Sequence, residues 1–233
     1  MQSATYLRRR DRLETYFDRT AAEAWSRLTS DAPVSRIRAT VRAGRDRMRA
    51  TLLSWLPQDM TGLRLLDAGC GTGALAQEAA RRGATVVAVD IAPTLVDLGQ
   101  ERAGGAFGTG SVEYRVGDML DPNLGSFDHV VAMDSLIHYP AAEITAALAG
   151  LSARTRGSVL FTFAPRTPAL SVMHAAGKLF PRGDRAPAIE PVGEGHLRGR
   201  LGTALSPLRW QVGRTERVAS GFYTSQAMEL VPR

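Results

Sequence analysis

The sequence predicts a doubly wound α/β fold, a mostly parallel sheet with helices on both faces. Three observations carry that expectation. Short apolar runs rich in Val and Leu alternate with segments of helical period between residues 62 and 163. A glycine-rich turn, Leu66-Asp67-Ala68-Gly69-Cys70-Gly71-Thr72-Gly73, joins the first run to the first helix. Acidic residues close or follow the next runs, at Asp90 and Asp118.

Strands are expected at Leu63–Asp67, Thr85–Asp90, Ser111–Val116, Phe127–Met133 and Ser158–Phe163. Helices are expected at Ala74–Arg82, Thr94–Ala103 and Ala141–Ala153. Ahead of them, residues 1–57 read as a helical prefix acting as a lid. One apolar stripe runs through Leu13, Tyr16, Phe17, Trp25 and Leu28, and a second through Val34, Ile37, Val41, Met48, Leu52 and Trp55. Pro57 ends that second helix. Residues 58–233 form the main domain. Its rhythm breaks over about 164–206, a Pro- and Gly-rich stretch read as a cap insertion with a helical patch at Leu170–Phe180. Strands near Trp210–Val218 and Phe222–Leu230 then form an antiparallel edge pair.

Composition narrows the function. Cys70 is the one cysteine, so no intrachain disulfide forms, and a cytoplasmic location is the default. The apolar runs are too short to span a bilayer, and no apolar core of a secretory signal follows MQSATYLRRR. A peripheral membrane contact stays open. Residues 61–150 carry net charge −6, against +5 before and +7 after them, so a cationic ligand suits the middle and an anionic one the flanks. Aromatics are 6% of the chain and form no stacking platform, so nucleic acid is not expected as a partner.

The glycine turn carries the first chemical signal. A dinucleotide site spaces its glycines G-x-G-x-x-G to seat a pyrophosphate. Here Gly69, Gly71 and Gly73 are spaced G-x-G-x-G, with Asp67 two residues ahead. An acid there suits a cation, and S-adenosylmethionine has a sulfonium, an ammonium and no phosphate. Asp90, with Ile91 after it, is placed to accept from the ribose hydroxyls. Asp118 and Met119 follow the third strand, where an acid and an apolar neighbour suit the adenine. The candidate cofactor residues are therefore Asp67, Gly69, Cys70, Gly71, Gly73, Asp90, Ile91, Asp118, Met119 and Asp134. An NAD oxidoreductase is disfavoured by the glycine spacing. No metal site of the protein's own is expected. The loop Asp134-Ser135-Leu136-Ile137-His138-Tyr139-Pro140 follows the fourth strand, at the sheet end where such folds place chemistry. That position makes His138 and Tyr139 candidates on the acceptor side.

These segments together resemble the magnesium-protoporphyrin IX O-methyltransferases of chlorophyll and bacteriochlorophyll synthesis, a family of Rossmann-like methyltransferases. The resemblance runs through Tyr16–Thr20 with Trp25, Leu66–Gly73, Asp134–Pro140, Phe163–Thr167, Gly177–Pro181 and Phe222-Tyr223. It implies methyl transfer from S-adenosylmethionine to a propionate carboxylate of Mg-protoporphyrin IX, with magnesium present only inside that substrate. It also implies catalytic roles for His138 and Tyr16. Tyr16 would close over the cofactor. His138 is expected to donate a hydrogen bond that orients the carboxylate, with axial ligation of the substrate's magnesium and a purely structural role as alternatives. Contact with the porphyrin-binding subunit of magnesium chelatase, and with photosynthetic membranes, fits the same resemblance. The competing functions are an O-methyltransferase for another acid or natural product, and a non-catalytic S-adenosylmethionine-binding protein.

Overall fold

The computed structural model describes residues 3–20, 36–105, 107–166 and 188–233. Seven strands form one sheet in the order β3-β2-β1-β4-β5-β7-β6. The strands are β1 (Arg64–Ala68), β2 (Thr85–Asp90), β3 (Ser111–Val116), β4 (Phe127–Ala132), β5 (Thr155–Phe163), β6 (Trp210–Ser220) and β7 (Tyr223–Pro232). The first five are parallel neighbours, and β7 enters antiparallel between β5 and β6. The order reverses between β1 and β4, so a crevice opens at their carboxyl ends, where doubly wound sheets bind ligands.

The helices among the described residues are α1 (Ala4–Thr15), α2 (Arg36–Ser54), α3 (Ala74–Arg81), α4 (Pro93–Arg102), α5 (Ala141–Ser152) and α6 (Glu194–Leu205). A π-helical turn, Tyr16–Thr20, continues α1. Two apolar layers cover the sheet. One packs α1, α5 and α6 around Phe127, Phe161, Phe163, Ile144 and Leu148. The other packs α2 and α3 around Met48, Leu52, Met60, Leu65 and Leu160. Strands β1 and β2 are buried on both faces, which is why they read as unbroken apolar runs.

The expected strands and edge pair are present, and two features differ from expectation. The prefix is not one unit. Its second helix, α2, packs Met48 and Leu52 fully into the body of the domain, while α1 and its π turn lie over the crevice. Within the stretch read as a cap, residues 194–205 form α6, whose Leu197, Leu201 and Leu205 are fully buried against α5 and the sheet. Trp25, the patch at 170–180 and the segment 177–181 lie outside the described residues. No described helix is long and apolar enough to cross a membrane.

Candidate active site

A cavity of about 680 Å³ opens at the carboxyl ends of β1, β2, β3 and β4, within the size range of small-molecule sites. Of the residues singled out in the sequence, Tyr16, Asp67, Gly69, Cys70, Gly71, Asp90, Ile91, Asp118, Met119, Asp134, His138 and Tyr139 all line it. Gly73 does not. It caps α3 at φ +74°, and a Cβ there would collide with the Tyr114 hydroxyl, so its glycine serves helix–strand packing. Gly69, at φ +82°, would likewise drive a Cβ into Ser135, so the glycine turn and the loop after β4 approach each other only without a side chain.

Three acids form the floor. Asp67, at the end of β1, is buried, and its Oδ2 has no hydrogen-bond partner. Burial pushes its pKa up to about 7; the Ala76 amide at the start of α3 pulls it back and Asp90 pushes it further. A buried carboxylate oxygen with no partner inside a cavity fits a cationic ligand group. Asp90 spends one contact per oxygen: Oδ2 accepts from the Gly71 amide at 2.8 Å and Oδ1 from the Ala92 amide at 3.0 Å. Each oxygen keeps a lone pair, the acceptor pair that a vicinal diol needs. Burial raises the Asp90 pKa as well, against the pull of its backbone donors.

Asp118 is bridged to α1. Its Oδ1 accepts from the Tyr6 hydroxyl at 3.0 Å and the Leu120 amide at 2.8 Å, and Arg10 reaches Oδ2 at 3.3 Å. Tyr6 stacks on Tyr139 at 5.2 Å, and burial raises the pKa of both phenols. Asp18 in the π turn accepts from the Thr94 amide and hydroxyl at 3.1 and 2.6 Å, capping α4, whose N-cap Ala92 has no capping side chain. Arg9 donates to the His138 carbonyl at 3.0 Å and to Glu190 at 3.1 Å. The prefix is therefore tied to β3, α4 and the loop after β4 at once.

Asp134 lines the cavity and is also held from behind. It adopts φ +54° with its side chain buried, and its carboxylate accepts from Arg45 at 2.9 Å and from the Tyr223, Ser225 and Thr162 hydroxyls, each at 3.1 Å. The acid thus joins α2, β5 and β7 behind the loop and is already supplied with donors. Neither Arg45 nor Tyr223 carries a local sequence signal, because each meets Asp134 across 89 residues.

His138 is buried, and its pKa is lowered chiefly by that burial, so the ring is neutral at pH 7. Its Nδ1 lies 3.3 Å from the Ala188 carbonyl. A carbonyl only accepts, so Nδ1 carries the proton and Nε2 carries a lone pair. The expected donation to a substrate carboxylate does not fit that tautomer, because the one donor is already spent. Tyr16 and Phe17 pack edge to face at 5.2 Å, and Phe17 lies 5.8 Å from the His138 ring. Cys70 lines the cavity with its thiol pushed well up by burial and by Asp90 and Asp67, the opposite of an activated nucleophile. Sequence reasoning missed Tyr6 and Arg10; the spacing of Tyr6 to Leu13, two helical turns on α1, was the available signal. No described residues cluster as a metal site.

This sheet order, with a crevice floored by acids and a glycine turn spaced unlike a dinucleotide cradle, is that of an S-adenosylmethionine-dependent methyltransferase. Residues 65–156 match the model of a methyltransferase domain, and residues 132–232 match that of the magnesium-protoporphyrin IX methyltransferase C-terminus. The chain is 50% identical to the magnesium-protoporphyrin O-methyltransferase of Rhodobacter capsulatus, covering 97% of this chain and 98% of that one. It is 30% identical to the Synechocystis protein of the same name, over 93% of each. The crystal structure of the Synechocystis magnesium protoporphyrin IX methyltransferase with bound S-adenosylhomocysteine superposes with a TM-score of 0.83 at 28% identity, covering 96% of this chain and 99% of that chain. The chain belongs to the magnesium-protoporphyrin O-methyltransferase family.

Proposed function

We propose that the protein transfers the methyl group of S-adenosylmethionine to one propionate carboxylate of Mg-protoporphyrin IX, giving the monomethyl ester and S-adenosylhomocysteine. The unpartnered oxygen of Asp67 at the cavity floor carries this reading, together with the family. Asp67 receives the ligand's ammonium, Asp90 its ribose diol and Asp118 its adenine amino group, with Ile91 and Met119 packing the ring. Gly69, Cys70 and Gly71 supply a backbone surface close enough to admit it.

S-adenosylmethionine supplies an electrophilic methyl carbon. The propionate oxygen bonds to that carbon as the S–CH3 bond breaks, and the bonding pair leaves on sulfur. No proton moves, because a propionic acid with a pKa of about 4.5 is already ionised at neutral pH. The chain contributes alignment and exclusion of water, effects that reach roughly 7–11 kcal/mol in favourable cases. Tyr16 and Phe17 close one side of the cavity. Phe222, 58% exposed at the β6–β7 turn, offers an apolar edge to a planar macrocycle at its mouth. Arg38, Arg42 and Arg49 of α2 line the same cavity and suit the second propionate. Within the 1–57 prefix, α1 and its π turn as the lid, a cap within 164–206 ahead of α6, docking of the porphyrin-binding chelatase subunit and a peripheral membrane contact extend the same reading.

Incubation with S-adenosylmethionine and Mg-protoporphyrin IX, with mass detection of the product, tests it. One added methyl ester is expected. Absence of ester with Mg-protoporphyrin, alongside tight S-adenosylhomocysteine binding, would leave a methyltransferase acting on another acceptor.

A further inference from the structure

The segment 188–192 runs as a strap across the loop after β4. The Val192 amide donates to the Ala164 carbonyl at 2.9 Å, and the Glu190 amide to the Ile137 carbonyl at 2.8 Å. The Ala188 carbonyl then accepts from His138 Nδ1 at 3.3 Å. This strap fixes both the orientation of the ring and its tautomer. The hydrogen bonds of His138 are made through Nδ1, with none to Nε2 among the described residues, and His138 lines the cavity. The result is a neutral imidazole with one nitrogen donating to a backbone carbonyl and the other presenting a lone pair. That is the arrangement in which metal-ligating histidines are held, the second nitrogen's partner setting tautomer and basicity.

An acceptor nitrogen has little to do for an ionised carboxylate, which has no proton to give. The proposed substrate brings a group that does want a lone pair: magnesium in a porphyrin has four in-plane nitrogens and an open axial position. Phe17 flanks the imidazole, and the Tyr6–Tyr139 stack lines the same cavity, so apolar rings are at hand to cover the macrocycle beside the metal. We propose that His138 Nε2 is the axial ligand of the magnesium in the bound porphyrin, and that the Ala188 carbonyl is the partner that holds the ring for it. This rests on the function proposed above. It makes His138 a residue that selects the metallated substrate and sets the depth at which the ring sits, and thereby which carboxylate reaches the methyl group.

The test is a titration of the full chain, saturated with S-adenosylhomocysteine, with Mg-, Zn- and Ni-protoporphyrin IX and with metal-free protoporphyrin IX. Magnesium and zinc take a fifth ligand in a porphyrin, whereas nickel prefers a square plane. The wild-type protein should bind the Mg and Zn forms at least about 10-fold more tightly than the other two, the least that loss of a supporting partner costs a metal site. Their Soret bands should shift on binding. His138→Ala should erase the preference, lowering Mg- and Zn-porphyrin affinity to that of the metal-free and Ni forms, and added imidazole should restore the shift. Equal wild-type affinity for all four porphyrins overturns the proposal without any variant. So does an equal loss for all four in His138→Ala, which marks a packing role. Ester formation from Mg-protoporphyrin by the same wild-type preparation separates the two readings. Ester without metal preference sinks only the ligation, whereas neither porphyrin binding nor ester sinks both.

Discussion

Replacing Asp67 by asparagine should push stability and ligand binding in opposite directions. The Asp67 carboxyl is buried, and its pKa is pushed from 3.8 up to about 7. An asparagine Oδ1 can still accept from the Ala76 amide, so the turn into α3 keeps its bond. The gap between 3.8 and about 7 corresponds to roughly 4 kcal/mol held against the ionised form above pH 7. The uncharged amide carries its own desolvation cost, so about 1–3 kcal/mol should be recovered. For a domain of this size that is about 2–10 °C in Tm at pH 8 without ligand. The sign with pH is fixed by the raised value. Between pH 3.8 and about 7 the folded chain holds a proton that the unfolded chain has released, so this group's contribution to stability falls as pH rises through that window. The advantage of Asp67→Asn should therefore be full at pH 8 and fade toward pH 5.

With S-adenosylhomocysteine present the order reverses. The amide of the Asp67→Asn variant offers no charge to the ligand's ammonium, and affinity should drop by about 1.5–3 kcal/mol. The wild-type protein should also release a proton on binding. With a pKa near 7 that is about 0.9 proton at pH 6 and about 0.1 at pH 8. Calorimetry in two buffers of different ionisation enthalpy reads this directly, and thermal scans at pH 5 and pH 8 read the stability. An Asp67→Asn protein that melts below wild type at pH 8 without ligand, or that binds as tightly, would falsify the placement of an unpaired carboxylate at the cofactor.

Asp90→Ala should weaken S-adenosylhomocysteine binding by about 1.5–3 kcal/mol in calorimetry, and unchanged affinity would remove the ribose assignment. Arg45→Met should destabilise the fold by about 3–5 kcal/mol in urea denaturation, the cost of stranding the buried Asp134 charge. Adding Asp134→Asn should restore part of that loss; no recovery would show that Arg45 acts elsewhere. Cys70→Ala and Cys70→Ser should both keep most activity, because the thiol is raised rather than activated; inactivity of both with normal ligand affinity points to covalent transfer. Amides of residues 4–20 should gain hydrogen-exchange protection when S-adenosylhomocysteine binds, since Tyr6 and Arg10 tie α1 to Asp118, the acid proposed for the adenine; equal exchange with and without ligand makes α1 a fixed element.

The central sheet was legible because β1 and β2 are covered on both faces and so appear as apolar runs between turn residues. Where that cover is absent the signal fades. Strand β5 begins at Thr155 rather than Ser158, because Thr155-Arg156-Gly157 extend it beside β4 while carrying no apolar pattern. Helix α6 was hidden for a different reason. Gly195, Gly199 and Gly202 depress its propensity, and only Leu197, Leu201 and Leu205 mark its buried face, so packing against α5 makes a helix that local preference does not announce. The acids at strand ends could be read because backbone geometry alone fixes their place. Their partners could not. Arg45 and Tyr223 on Asp134, and Tyr6 and Arg10 on Asp118, meet only through the tertiary fold. The tautomer of His138 depends on a carbonyl 50 residues away.

The charge pattern of the chain takes on meaning in this geometry. The acidic middle third supplies Asp67, Asp90 and Asp118 at the cavity floor, and the basic first third supplies Arg38, Arg42, Arg45 and Arg49 along α2 on its wall. A sulfonium donor and a carboxylate acceptor have opposite charges and must meet with their reacting atoms in line. Left to each other in a low-dielectric cavity, they would pair in whatever orientation attraction favoured. In the proposed reaction, a floor of one sign and a wall of the other would bind each through its non-reacting end: the donor by its ammonium and diol, the acceptor by its distant carboxylate. That leaves the sulfonium methyl and the near carboxylate as the ends directed inward. Arg45 is paired with Asp134, and that pair joins α2 to the loop after β4. The separation of charge along the sequence is thus the one-dimensional trace of a field whose direction the reaction requires.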